Sequence, residues 1–229
     1  MSVVNPEIGR RIFFDRVDWR PLLFAHKNKS SQVAVSSDYG YIKKTKKRRG
    51  RKRDAEYYNL AFWDVLLDIY NDKFQTQIFS PTPYLSKGRD IVMEFSKGVD
   101  LQRLFGSDTV ASSDREKIIL LLGKMFKIKD NEGLVHGDFL LRHVLAGEGL
   151  YVIDLERAQT GNEGNGSRDE NDKLKSQIKG IHKDDYLESL LSDGYDMIPK
   201  IKLSDKVLQH ITSLYGGRAE FYLKRRYRR

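Results

Sequence analysis

Apolar and polar positions follow two different periods along this chain, and the change of period divides it. Short apolar or β-branched pieces come first: Leu22–Phe24, Val33–Val35 and Tyr41–Ile42. The turn-forming stretches KNKSS and SSDYG separate them, which predicts a small antiparallel meander. The period then lengthens. In DAEYYNLAFWDVLLDIY, Leu60, Trp63, Leu67 and Tyr70 recur on one stripe, predicting a helix over 54–70 of about four turns. SPTPY (Ser80–Tyr84) breaks the chain, KGRDIVMEF (Lys87–Phe95) reads as a strand, and SKGVDLQRLF as a glycine-marked turn into a short helix. A helix over 112–128 follows, with a serine cap, an acidic first turn and a wide apolar face. Leu134–Val135, Val144–Leu145 and Tyr151–Ile153 are very short strands, the last two joined by AGEG. Gly161–Gln177 is polar and rich in glycine and asparagine, so a mobile loop is expected there. Helices over 184–191 and 204–215 close the chain, and no internal repeat is visible.

Strands and a helix, a connecting segment, then mostly helix with tiny strands: this order predicts an α+β fold of two lobes. The first would span 1–96 and the second 97–229, with the boundary near Phe95–Gly98. At 229 residues and 39% apolar content, the chain is long enough for a small and a larger lobe sharing a cleft. With no cysteine, a disulfide framework and thiolate metal sites are excluded. No apolar run approaches the ~20 residues that span a bilayer, and MSVVNPEIGRRIFF lacks the pattern of a secretory leader. The expected setting is cytoplasmic.

The formal charge of +9 is concentrated in two places. KKTKKRRGRKR (Lys43–Arg53) holds 9 basic residues in 11, and RAEFYLKRRYRR (Arg218–Arg229) holds 6 in 12, while the remaining body carries more acid than base. Such patches suit phosphate-rich partners: nucleic acid, anionic lipid headgroups or nucleotide. A solvated surface is the plainer alternative.

The chemistry lies in VHGDFLLRH (Val135–His143) and YVIDLERAQ (Tyr151–Gln159). Glycine lets the backbone turn sharply before Asp138, and Asp154 ends a short apolar strand, so both carboxylates are placed at a cleft rather than in a core. Phosphoryl transfer uses two acceptors in such positions. One orients an attacking hydroxyl and accepts its proton, and the other holds the magnesium that bridges nucleotide phosphates. A kinase-type loop has its Asp, a metal-binding residue five positions on, and a metal-binding Asp after a short hairpin. Here those positions are Asp138, His143 and Asp154. His136 is expected to hold the loop through a backbone hydrogen bond.

Over about these 25 residues the sequence resembles the atypical branch of the kinase-fold superfamily: aminoglycoside-phosphotransferase-like, RIO-like and lipopolysaccharide core kinases. HGD in place of HRD is common in that branch. The combination D-x4-H with VIDLERAQ is most similar to the heptose and Kdo kinases of lipopolysaccharide core assembly. The resemblance implies a small antiparallel sheet with one helix as the N-lobe, and a mainly helical C-lobe. It implies ATP and Mg2+ as cofactors, with Mn2+ as a substitute, Asp138 as the catalytic residue, and His143 and Asp154 as metal ligands. A strand lysine, Lys43 or Lys44, should neutralise nucleotide phosphates and pair with Glu56. The two lysines alternate across the strand, and Lys43 is preferred. The backbone at Glu94, Phe95 and Ser96 should meet the adenine edge. No GxGxxG occurs, and KNKSSQ stands where the phosphate-covering loop belongs. Since magnesium prefers oxygen, His143 could hold metal directly, through a water, hold manganese instead, or hydrogen-bond Asp138.

Three functions follow as expectations. The first is phosphorylation of a lipopolysaccharide core sugar by a chain peripheral to the inner membrane, its basic segments on anionic headgroups. The second is a RIO-like or tRNA-modification-associated protein kinase or ATPase, with Lys43–Arg53 and Arg218–Arg229 meeting RNA. The third is a nucleic-acid-binding pseudokinase that uses Tyr57, Tyr58, Tyr222 and Tyr227 as stacking surfaces.

Overall fold

The computed structural model describes residues 2–4, 17–22, 31–38, 40–46, 53–107, 111–160, 165–181 and 185–227. Most of the basic run after Lys46, much of KNKSSQ, and His26 and His182 lie outside them. Six strands build the first sheet: β1 (Ser2–Val4), β2 (Trp19–Pro21), β3 (Ser31–Ser36), β4 (Tyr41–Lys46), β6 (Pro83–Lys87) and β7 (Asp90–Glu94), in the order β1-β6-β7-β4-β3-β2. Every pairing in it is antiparallel. The meander is there, but the single strand expected over 87–95 is only the second arm of a hairpin. Gly88 turns it at φ 63°, and Pro83 stands first in β6, where a missing N–H is tolerated.

Between β4 and β5 (Ile78–Phe79) runs α1 (Arg53–Phe74), longer than the 54–70 expected. The expected apolar stripe is inside, and so are Tyr57, Tyr58, Phe62 and Leu66. Burial all round means the helix is covered on its back as well as by the sheet. These tyrosines are therefore core. Tyr58 stacks on Tyr222 at 5.7 Å between ring centroids, and Phe62 on Tyr227 at 4.1 Å. Tyr57, Tyr58 and Tyr227 offer no open face to a base, which corrects the stacking surface expected of them.

The second half begins with β8 (Val99–Asp100), α2 (Leu101–Phe105) and α3 (Ser112–Glu132). The cap position of α3 is Ala111 and makes no side-chain bond, unlike the serine cap expected. Then come β9 (Leu134–Val135), β10 (Val144–Ala146), β11 (Leu150–Val152) and β12 (Gln159–Thr160). A four-stranded sheet in the order β5-β11-β10-β8 and a β9–β12 pair carry the two motifs. Four helices finish the chain: α4 (Asn165–Ile181), α5 (Asp185–Asp196), α6 (Ser204–Tyr215) and α7 (Gly217–Tyr227).

Helix α4 occupies much of the stretch expected to be a loop. Leu174 and Ile178 are buried at helical spacing, and Asn171 on the same side donates to Asp130 Oδ1 at 3.0 Å. Helices α3 and α5 approach so closely that a Cβ on Gly123 would lie 2.2 Å from the carbonyl oxygen of Leu191. Only glycine permits that crossing. Buried Glu132, at the end of α3, accepts from Tyr70 (2.8 Å) and from the amides of Leu203 (2.7 Å) and Ser204 (2.8 Å), so it satisfies the N-terminal donors of α6 and ties it to α1. The whole is an α+β fold, an antiparallel sheet with one long helix followed by a mainly helical part. No helix among the described residues is long and apolar enough to cross a membrane.

Candidate active site

Strand alternation decides which lysine faces inward. Lys43 turns out over the ring of Trp19, 4.5 Å from its centroid, so the preference for Lys43 is corrected. Lys44 and Lys46 share the inner face. Lys44 Nζ donates to Glu56 Oε1 and to Asp154 Oδ1, both at 2.7 Å. Lys46 Nζ donates to Glu156 Oε1 at 2.8 Å and lies 3.2 Å from Glu56 Oε2. Two ammonium groups thus knit together three carboxylates from α1 and from the turn after β11. Burial pulls the Lys44 ammonium down, but Glu56 and Asp154 together outweigh it and hold it above the usual lysine range. Burial likewise raises the Asp154 carboxyl, and Lys44 more than reverses this, leaving it below its ordinary value.

Asp154 itself adopts φ 62°, a left-handed conformation that a short polar side chain tolerates better than most. Its carboxylate leaves the end of β11 toward Lys44.

The loop from Val135 to His143 is fixed by its neighbours. The His136 ring is buried, and its Nε2–H donates to the carbonyl of Ile153 at 2.8 Å, the backbone anchor expected of it. Its Nδ1 carries the lone pair and has no hydrogen-bond partner among the described residues. Burial, with Lys129 adding to it, pushes this imidazole down to about 4, so it is neutral. His143 packs parallel to it, ring centroids 5.8 Å apart. A carbonyl can only accept, so the 2.6 Å contact between His143 Nδ1 and the Asp138 carbonyl oxygen places the proton on Nδ1. The lone pair then sits on Nε2, where Arg142 Nε donates weakly at 3.3 Å. Of the roles open to His143, hydrogen bonding to Asp138 is the one seen, through the main chain. It leaves Nε2 in the form a metal requires.

Gly137, at φ 84°, is packed so tightly on Arg157 that a Cβ would lie 2.6 Å from that residue's Cβ. This is why the sequence reads His-Gly-Asp: no side chain fits between the two motifs.

Sequence reasoning did not single out Lys46 or Glu156 as site residues, nor the pair Lys129 and Glu170 behind the loop. Glu170 on α4 accepts from the amides of His136 (2.8 Å) and Gly137 (2.6 Å), and from Lys129 Nζ at 2.9 Å. Lys129 is fully buried over the Phe139 ring, and burial outweighs Glu170 to bring its ammonium down to about 8. The signal available was Glu170 beside Asn171, Leu174 and Ile178 at helical spacing, masked by the charged residues among them.

At the expected adenine edge, the Glu94 amide donates to Thr82 O (2.9 Å) and the Phe95 amide to Gly40 O (3.1 Å). Those donors are engaged within the first sheet. Ser96 Oγ, next along, is buried with no hydrogen-bond partner among the described residues.

Glu56, Asp154 and Glu156 present carboxylate oxygens within 4.8 Å of one another, a spacing that suits a hard divalent cation. Glu56 is enclosed and already faces two lysines. Asp154 and Glu156, with side chains 36% and 32% exposed, are the two of the three that reach solvent.

No family model matches the sequence, and no curated protein matches it. Among solved structures, the Rio2 kinase–ADP/Mg2+–phosphoaspartate complex from Chaetomium thermophilum is similar over 91% of this chain and 70% of that chain, at 16% identity and a TM-score of 0.47.

Proposed function

We propose that the chain is an ATP-dependent phosphotransferase that moves the γ-phosphate to a hydroxyl, with a sugar of lipopolysaccharide core as the acceptor class. The observation that carries the reading is the bridge from Lys44 to both Glu56 and Asp154. It sets one ammonium on the inner face of β4 against Asp154, and the preceding residue, Ile153, anchors His136 of the loop that carries Asp138. In this reading, Lys44 neutralises the nucleotide phosphates and Glu56 holds it in place. Asp154, with Glu156 and the Nε2 of His143, would hold Mg2+ or Mn2+, which when bound screens phosphate charge. Asp138 orients the acceptor hydroxyl and takes its proton. Ser96 Oγ is a free polar atom beside the expected adenine edge.

A small acceptor is favoured by the chain between the site and α4. Only ten residues separate Asp154 from Asn165, and six of them form the turn and β12. That leaves little backbone against which an extended peptide could lie. Exposed Lys224 and Arg225 on α7 would face anionic headgroups.

The test is ATP turnover by the purified chain, with core oligosaccharide, a protein substrate and tRNA offered separately. Label on the oligosaccharide supports the reading. Label on protein alone would move it to a RIO-like protein kinase. No nucleotide turnover, with or without acceptor, would sink it.

A further inference from the structure

Helix α7 covers the back of α1 and reaches the turn that follows Asp154. Arg226 Nη1 donates to the carbonyls of Glu156 (3.2 Å) and Ala158 (2.9 Å). Tyr227, next in sequence, stacks on Phe62 of α1, and its hydroxyl donates to Asn59 Oδ1 at 3.1 Å. The amide nitrogen of Asn59 in turn donates to the carbonyls of Leu155 (2.9 Å) and Ala158 (3.1 Å). Asn59 is fully buried and stands one helical turn beyond Glu56. A closed ring of contacts therefore joins α7, α1 and the 155–158 turn, one turn of helix away from the lysine bridge.

We propose that α7 is an intramolecular clamp, holding α1 against the 155–158 turn so that Glu56 and Asp154 stay at the separation that Lys44 spans. Arg226 and Tyr227 are then positioning residues, and their importance for phosphotransfer rests on the function proposed above. The physical case has two parts. Arg226 donates to the carbonyl of Glu156 and shares that of Ala158 with Asn59, so losing α7 takes the described donor from the first and one of two from the second. The back of α1 is aromatic, so a displaced α7 would expose Tyr58 and Phe62, and α1 could settle only by moving. Position of the glutamate-bearing helix is what turns kinase-type sites on and off. Here that position is built in by the chain's own C-terminal helix, and basic residues of the tail are spent inward as well as on the surface.

The experiment is hydrogen–deuterium exchange on the full chain without nucleotide, comparing wild type with Arg226→Ala, Arg226→Lys and Tyr227→Phe. Tyr227→Phe keeps the ring packing and removes only the hydroxyl bond, so it reports even if Arg226→Ala folds poorly. The clamp predicts roughly tenfold faster exchange at 155–158 and in α1 around 56–63 for Arg226→Ala, the factor for losing a bond from a charged donor. Exchange in α3 and α5 should be unchanged, and Arg226→Lys should recover part of the effect. Faster exchange in α7 alone, or equally throughout the chain, overturns the clamp. Binding of a fluorescent ATP analogue is measured alongside and should weaken in parallel. Wild type that binds no analogue counts against the phosphotransferase reading, while the exchange pattern still decides the clamp.

Discussion

Lys44 and Asp154 stand 110 residues apart in sequence and 2.7 Å apart in space, and the same ammonium reaches Glu56 at 2.7 Å. The bridge fastens the first sheet to α1 and to the end of β11. Removing its cation leaves Glu56 buried, with Lys46 as its remaining ammonium partner. Lys44→Met should cost about 3 kcal/mol in urea unfolding and lower ATP turnover by at least ~100-fold. Lys43→Met is the control. That side chain lies over Trp19 on the opposite face, and its loss should leave turnover within about twofold of wild type.

Acid should unfold the protein in two stages. Burial shifts His136 from 6.5 to about 4, so the unfolded chain takes its proton first and stability falls as pH drops from 6.5 toward 4. The loss approaches about 3 kcal/mol. Asp154, held below its ordinary 3.8, contributes stability that is complete above that value and is lost as pH falls through its lower folded range. Urea midpoints from pH 3 to 8 give both stages. His136→Gln should flatten the first and keep the second.

Glu170 and Lys129 form an ion pair whose two ends should respond unequally. Glu170→Gln weakens the acceptor of two loop amides and leaves the Lys129 charge buried, and it should cost about 3 kcal/mol. Lys129→Met replaces a desolvated cation by an apolar chain of similar length, while Glu170 keeps both amides. It should be near neutral in thermal unfolding. Equal losses in the two variants would contradict this account.

Gly137→Ala should destabilise by about 2 kcal/mol, combining a positive φ with a clash against Arg157. If the loop yields instead of unfolding, the change should appear as a loss of turnover with little change in nucleotide affinity, because Asp138 is the next residue.

What could be read from the sequence was local. Asp138, His143 and Asp154 stand out as candidates by residue type and spacing, and α6 by its apolar period, because each signal fits within one loop or one helix. The choice between Lys43 and Lys44 needed the pairing of β4 with β7, and no single strand contains that. Helix α4 escaped because its buried stripe is narrow, Leu174 and Ile178 among asparagines and charges. Helix α7 escaped for a similar reason. Ala219, Leu223 and Tyr227 recur every fourth residue, but the lysine and arginines around them read as a basic tail. In both helices, tertiary packing rather than composition creates the apolar face.

The carboxylate of Glu170 reaches back from α4 to seize two successive amides of the loop that holds Asp138. One side chain therefore governs both donors: the amides of His136 and Gly137 come free together when the Glu170 carboxylate leaves, and their exchange should report how firmly α4 is anchored. The shape of the loop is thus set from a helix more than thirty residues further along the chain, and it should loosen when that helix does.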